Sequence, residues 1–172
     1  MKKVDWKLRA AVKERYFAEA KRLLAQGANA NTVFFSKAYT LHDYFQFSNS
    51  YQMLKLLFNE GNLNVNYKDC HGHTLLEVAI SRCDKKMFNF LLKTGKVDLH
   101  GKTSFGLSPL AMAVKGTRNC GYDKSFIINL LKAGATWSTD KTMMVDNLGA
   151  VDYADNLRKL ASFLVRTATF IK

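Results

Sequence analysis

Residues 69–95 read DCHGHTLLEVAISRCDKKMFNFLLKTG, and this stretch decides the fold. Thr74 and Gly95 are separated by 21 residues. Two helices of about ten residues each, at 1.5 Å rise per residue, fill that span with a tight turn between them. The same 21 residues separate Thr40 from Gly61, and Gly27, Gly61 and Gly95 stand 34 residues apart. Leu23, Leu57 and Leu91 keep that period, as do Leu24, Phe58 and Leu92, while Met53 with Met87 and Leu54 with Phe88 extend the match by a helical turn. A period of this length is the mark of stacked repeats, in which each unit buries its apolar face only against its neighbours.

A second register runs through Thr40, Thr74 and Ser108. Each glycine follows an apolar pair, which predicts a helix C-cap in the left-handed conformation that other residues adopt at a cost. After the glycines come ANAN (28–31), NLNVN (62–66) and KVDLH (96–100). Asn and Asp alternating with small or branched apolar residues suit a turn leading into an extended hairpin arm.

DCHGHTLLEVA (Asp69 to Ala79) and FGLSPLAMAV (Phe105 to Val114), each followed by a helix ending in Leu-Leu and then Gly, resemble ankyrin repeats. The family pattern Asp-x-x-Gly-x-Thr-Pro-Leu-His-x-Ala is met by Asp69, Gly72, Thr74, Leu76 and Ala79, and again by Gly106, Ser108, Pro109, Leu110 and Ala113. Pro109 is the chain's single proline; Leu75 and Glu77 stand where the third unit would carry Pro and His. In the second unit, YTLHDYFQF, Thr40 fits the period, but Leu41 and His42 fit the motif after a one-residue slip. The first unit reads from Trp6, Leu8 and Ala11 onward, with Trp6 in the threonine position. The resemblance implies an all-α solenoid of stacked helix-turn-helix units with short hairpin arms. The units run over about 5–34, 35–68, 69–102 and 103–140, with a helical cap over 141–172, all in one domain. Leu157, Leu160, Ala161, Leu164, Ala168 and Ile171 give the cap its helical spacing, with Asp152 as its start.

The chain has 172 residues and is 48% hydrophobic, sufficient for one continuous core under four or five units. No uncharged apolar run reaches the length of a membrane span, and MKKVDWKLRAAVKERYF interrupts any signal-peptide core with charge. Cys70, Cys83 and Cys120 are odd in number and unrelated in repeat position, which argues against a disulfide framework and for a reducing, cytoplasmic compartment, or a host-cell interior. Ser108 and Gly134 are 26 residues apart, so about five residues are inserted within KGTRNCGYDK (115–124), a loop between helices. Phe34 and Phe35 are adjacent in an arm and cannot both face inward if it is extended.

The net charge is +12, of which +5 falls in the first 26 residues, and the rest is diffuse. Diffuse basicity attracts phosphate backbones without specificity, whereas single-strand recognition also needs aromatic stacking platforms on the same face. Phe58, Phe88 and Phe90 read instead as part of the apolar stripe. Cys70, His71, His73 and Cys83 have metal-ligand chemistry but not metal-ligand spacing. Glu77 with His73 reads as helix capping and surface charge. No phosphate loop, nucleophile elbow or carboxylate pair is present, so neither catalysis nor a cofactor is expected.

A binding scaffold remains. In the family resembled, contact is made by the concave face, built from the arms and the exposed side of each first helix. Position by position this implies Ser36, Lys37, Tyr39 and Phe47 in the second unit. It implies Cys70, His71, His73, Ser81 and Arg82 in the third, and Ser104, Phe105, Leu107 and Lys115 in the fourth. The implied function is a non-enzymatic, monomeric adaptor for another protein with acidic surface. Small degenerate arrays of this kind resemble those that intracellular bacteria and viruses direct at host proteins. The alternative, from a different class, is a basic nucleic-acid-binding protein whose affinity falls steeply with salt.

Overall fold

The computed structural model describes residues 2–33, 44–45, 51–69, 72–103, 106–115 and 123–136. Among them are seven helices and no strand: α1 (Lys3–Lys13), α2 (Phe17–Ala25), α3 (Tyr51–Gly61), α4 (Leu75–Arg82), α5 (Lys85–Lys93), α6 (Pro109–Lys115) and α7 (Lys124–Lys132). The chain divides into two compact units, Met1–Val78 with Lys86–Val97, and Ala79–Lys85 with Asp98–Lys172. The insertion at 116–122, the Phe34–Phe35 pair and the expected helical cap lie outside the described residues.

In the first unit α1 packs on α2, and α2 on α3. Leu8, Ala20, Leu23, Met53, Leu54 and Leu57 are completely buried, as are Leu75 and Leu91. The period read from the sequence is thus the period of the core. Burying each leucine is worth about 1.5–3 kcal/mol relative to leaving it exposed. In the second unit α6 packs on α7, around Leu110, Val114, Ile127 and Leu130.

Helix ends are set by side chains. Thr74 caps α4: its N–H donates to Glu77 Oε2 at 2.7 Å, and the Glu77 N–H donates to Thr74 Oγ1 at 3.4 Å. These reciprocal bonds form a capping box. Ser108 caps α6, its Oγ accepting the Ala111 N–H at 3.2 Å, with Pro109 in the first helical position where no N–H is needed. In α1 the device differs from expectation. The helix begins at Lys3, so Trp6 lies inside it rather than at a cap. Asp5 reaches back to accept the Lys2 N–H at 3.0 Å, and its other oxygen accepts the Asn29 N–H at 2.9 Å. One buried carboxylate thus starts α1 and holds the chain beyond α2.

Gly27 (φ +80°) and Gly134 (φ +96°) close α2 and α7 with the same bond pair, Gly27 N–H to Leu24 O with Ala28 N–H to Leu23 O, and Gly134 N–H to Leu131 O with Ala135 N–H to Leu130 O. Gly61 does not act this way. Helix α3 runs through it, and Asn62 takes the left-handed conformation at φ +49°. Asparagine tolerates that conformation better than most residues. A Cβ on Gly61 would lie 2.9 Å from Ala30 Cβ and 3.0 Å from Leu24 Cδ2, so this glycine serves close packing between repeats.

No backbone ladder joins the arms among the described residues; asparagines do the joining. Asn29 Oδ1 accepts the Asn31 N–H at 2.9 Å, and Asn64 Oδ1 accepts the Asn66 N–H at 3.0 Å. Asn31 then donates to Asn62 O (3.0 Å) and accepts from the Asn64 N–H (2.7 Å), while Asn66 donates to Lys96 O (2.7 Å). In the second unit Asp98 accepts from the N–H groups of His100 and Gly101 at 2.8 and 2.9 Å, and His100 Nδ1 meets Thr136 Oγ1 at 3.3 Å.

Two predictions follow from these ends. Gly61→Ala should cost about 1–3 kcal/mol by overpacking, whereas Asn62→Gly should stay within about 0.5 kcal/mol of wild type; urea unfolding midpoints decide, and equal costs would contradict the packing role. Glu77 is buried, and burial raises its pKa above the ordinary value near 4.5, the Thr74 N–H offsetting only part of that. The folded state therefore holds this proton more tightly than the unfolded chain. The associated stability is fully present below about pH 4.5 and is lost as pH rises through the folded value. Glu77→Gln, which keeps the cap and cannot ionise, should gain stability relative to wild type from about pH 4 to about pH 8. A difference independent of pH in paired urea titrations would contradict this.

Candidate interaction surface

The arms present short turns just ahead of the first helices of the later repeats. Asp69 N–H donates to His73 O at 2.8 Å, Gly72 N–H to Asp69 O at 3.0 Å, and His73 N–H to Asp69 Oδ1 at 2.9 Å. Thirty-four residues on, Thr103 N–H donates to Leu107 O, Gly106 N–H to Thr103 O, both at 2.9 Å, and Leu107 N–H to Thr103 Oγ1 at 3.1 Å. The threonine hydroxyl does what the aspartate does. Gly72 and Gly106 hold the left-handed position that closes such a turn (φ +80° and +75°). Among the described residues each turn is held by two backbone bonds and one bond to the side chain of its first residue.

Of the thirteen residues expected to contact a partner, five are described. His73 lies in the first unit, half-buried, with Nδ1 3.9 Å from Asp69 Oδ1. Ser81 and Arg82, at the end of α4, belong to the second unit with Leu107 and Lys115; all are half-buried except Lys115, which is exposed. Ser36, Lys37, Tyr39, Phe47, His71, Ser104 and Phe105 lie outside the described residues, as does Cys70. Glu77, read as helix capping and surface charge, does cap α4 but is buried rather than on the surface. Cys83 is disulfide-bonded, against the expectation from an odd cysteine count, and its partner lies outside the described residues. An odd count forbids complete pairing but not a single bond. Cys83, at φ +58°, sits in the tight turn between α4 and α5, as Arg15 (φ +60°) does between α1 and α2. Its sulfur is committed, so it offers no thiolate to a metal. Among the described residues no three His, Cys, Asp or Glu side chains form a group able to hold a metal ion.

In the second unit Asp123 caps α7. Its Oδ1 accepts the Ser125 N–H at 2.8 Å and its Oδ2 lies 2.9 Å from Lys85 Nζ. The Lys85 ammonium and the Ser125 bonds hold this carboxyl below its ordinary pKa despite partial burial. The inserted loop therefore re-enters the helical repeat at a charged, capped point.

Two features escaped the sequence reading. The Arg9 guanidinium carbon lies 5.6 Å from the ring centroids of both Trp6 and Tyr44. All three side chains are half-buried, and Lys3 and Lys7 on the same helix are exposed. Phe58 and Phe90 are half-exposed, although the sequence assigned both to the core with Phe88. Only Phe88 is buried. Positions 88 and 90 point about 200° apart on a helix, so both cannot face one core.

Between α2 and α3 lies a shallow groove edged by Phe17, Lys21, Gln52, Leu56 and Asn59, with Lys21 Nζ bridging to Glu60 at 3.1 Å. It is too open to enclose a small molecule. No described helix is long and apolar enough to cross a membrane.

The family model for ankyrin repeats, in three copies, matches residues 8–103. No curated protein matches the chain.

Proposed function

Because the chain belongs to the ankyrin-repeat family, whose members are generally protein-protein interaction modules, we propose that it is a non-enzymatic adaptor binding a partner protein through its arms and first helices. The observation that carries this reading is the Arg9 clamp. Arginine and aromatic side chains dominate interface energetics. An arginine already in contact with two aromatic rings loses less side-chain freedom when a carboxylate docks on it. With Lys3 and Lys7 exposed beside it, the cluster suits an acidic partner. The proposal includes His73 in the first unit and, separately, Ser81, Arg82, Leu107 and Lys115 in the second, together with the eight expected contact residues outside the described segments. A compact degenerate array of this type also suits an effector directed at proteins of a host cell.

The test is capture from lysate on the tagged protein, with nuclease, eluted in salt steps and read by mass spectrometry. Arg9→Glu should reduce recovery of the captured protein about tenfold, with a helical circular-dichroism spectrum like that of wild type. Undiminished capture would exclude the clamp, and recovery of nuclease-sensitive nucleic acid alone would replace the adaptor with a nucleic-acid-binding protein.

A further inference from the structure

The second helices carry a separate surface. On α3, Tyr51, Lys55 and Phe58 share one face at spacings of four and three residues; on α5, Lys86, Phe90 and Lys93 do the same. The Phe90 ring meets Tyr51 edge-on at 5.6 Å (86°) and Phe58 at 5.5 Å (84°). All three rings are half-exposed, while Leu54, Leu57, Met87, Phe88 and Leu91 on the same helices are buried. The rings therefore form an apolar strip outside the core.

Among the described residues that strip is flanked by positive charge with no carboxylate paired to it. Lys55, Lys86 and Lys93 are exposed and form no ion pair among the described residues, and Lys96 Nζ stands 5.3 Å from the centre of the Phe58 ring. Helix α5 contains no acidic residue, and Glu60, the acidic residue of α3, is engaged by Lys21. Among the described residues of the unit nothing supplies the counter-charge for this face, which suits a partner that does. Nucleic acid would supply it, but bases stack on open, roughly parallel ring faces. Here Phe90 stands perpendicular to both Tyr51 and Phe58, edge against ring, and Lys96 covers Phe58. We infer that the outer face of α3 and α5 is a docking surface for an acidic peptide segment whose apolar side chains cover the Tyr51–Phe90–Phe58 strip while its carboxylates meet the lysines. This surface goes beyond the Arg9 cluster and does not depend on it.

The probe is a fluorescein-labelled amphipathic peptide of about 18 residues, Glu on one helical face and Leu and Phe on the other. Its anisotropy is titrated with the full chain at about 50 mM salt. The Gln-for-Glu peptide and an oligo-dT strand of similar length are titrated in parallel. The Glu peptide should bind wild type and Arg9→Glu alike, and bind K55E/K93E at least about tenfold more weakly. Both lysines are exposed, so the double variant should stay folded, as circular dichroism checks. Several results would overturn the inference: no binding to wild type, equal binding by K55E/K93E, or equal binding of the Gln peptide. Tighter binding of oligo-dT, lost in the same double variant, would reassign the face to nucleic acid. Loss in Arg9→Glu alone would move the peptide to the first-helix cluster, overturning this surface but not the adaptor reading.

Discussion

The asparagine side chains between arms set the geometry on which the rest of the first unit depends. With no strand ladder among the described residues, the donors and acceptors of successive arms find side-chain partners instead, and because these bonds are exposed they act by positioning the arms more than by relieving a desolvation cost. Asn31 meets both needs at once, donating to Asn62 O and accepting from the Asn64 N–H. A primary amide can do this because it carries a donor and an acceptor on one rigid group. Each bond is worth only about 0.5–1.5 kcal/mol net. Their larger effect is to fix the spacing of neighbouring repeats, within which the leucine rows interdigitate and Gly61 approaches Ala30.

Much of this arrangement was legible because it follows from repetition. The leucine rows, the caps at Thr74 and Ser108 and the left-handed Gly27 and Gly95 recur at fixed spacing, and recurrence selects the residues that the architecture demands. What failed was what recurrence hides. Gly61 keeps the period, but spacing cannot distinguish a glycine needed for its φ from one needed for its missing Cβ. Glu77 was legible as a cap, but it also looked like surface charge because a carboxylate at a helix start usually is; its burial comes from packing that no local pattern encodes.

The surfaces were less legible than the fold, for a related reason. Trp6 and Arg9 are one turn apart on α1, but Tyr44 comes from the next repeat, so the clamp exists only in three dimensions. Phe58 and Phe90 follow or precede core leucines by one position, a rotation of about 100° that decides between core and surface. The family pattern helps little here. Pattern residues shape arms and caps, and the side chains that meet a partner are the ones the pattern leaves free.

Charge then separates the roles of the two candidate surfaces. Lysines grouped on one face repel one another within a Debye length of about 8 Å at physiological salt, so the group on α3 and α5 adds nothing to folding and slightly opposes it. Arg9 differs, since its two aromatic neighbours give its positive charge a favourable setting within the fold itself. A partner at the lysine face would gain chiefly in encounter rate, through long-range attraction that salt weakens. At the clamp it would gain in lifetime, through contacts already ordered before it arrives. The same net charge of +12 therefore acts in two ways, and the structure distinguishes them by what stands beside each cation.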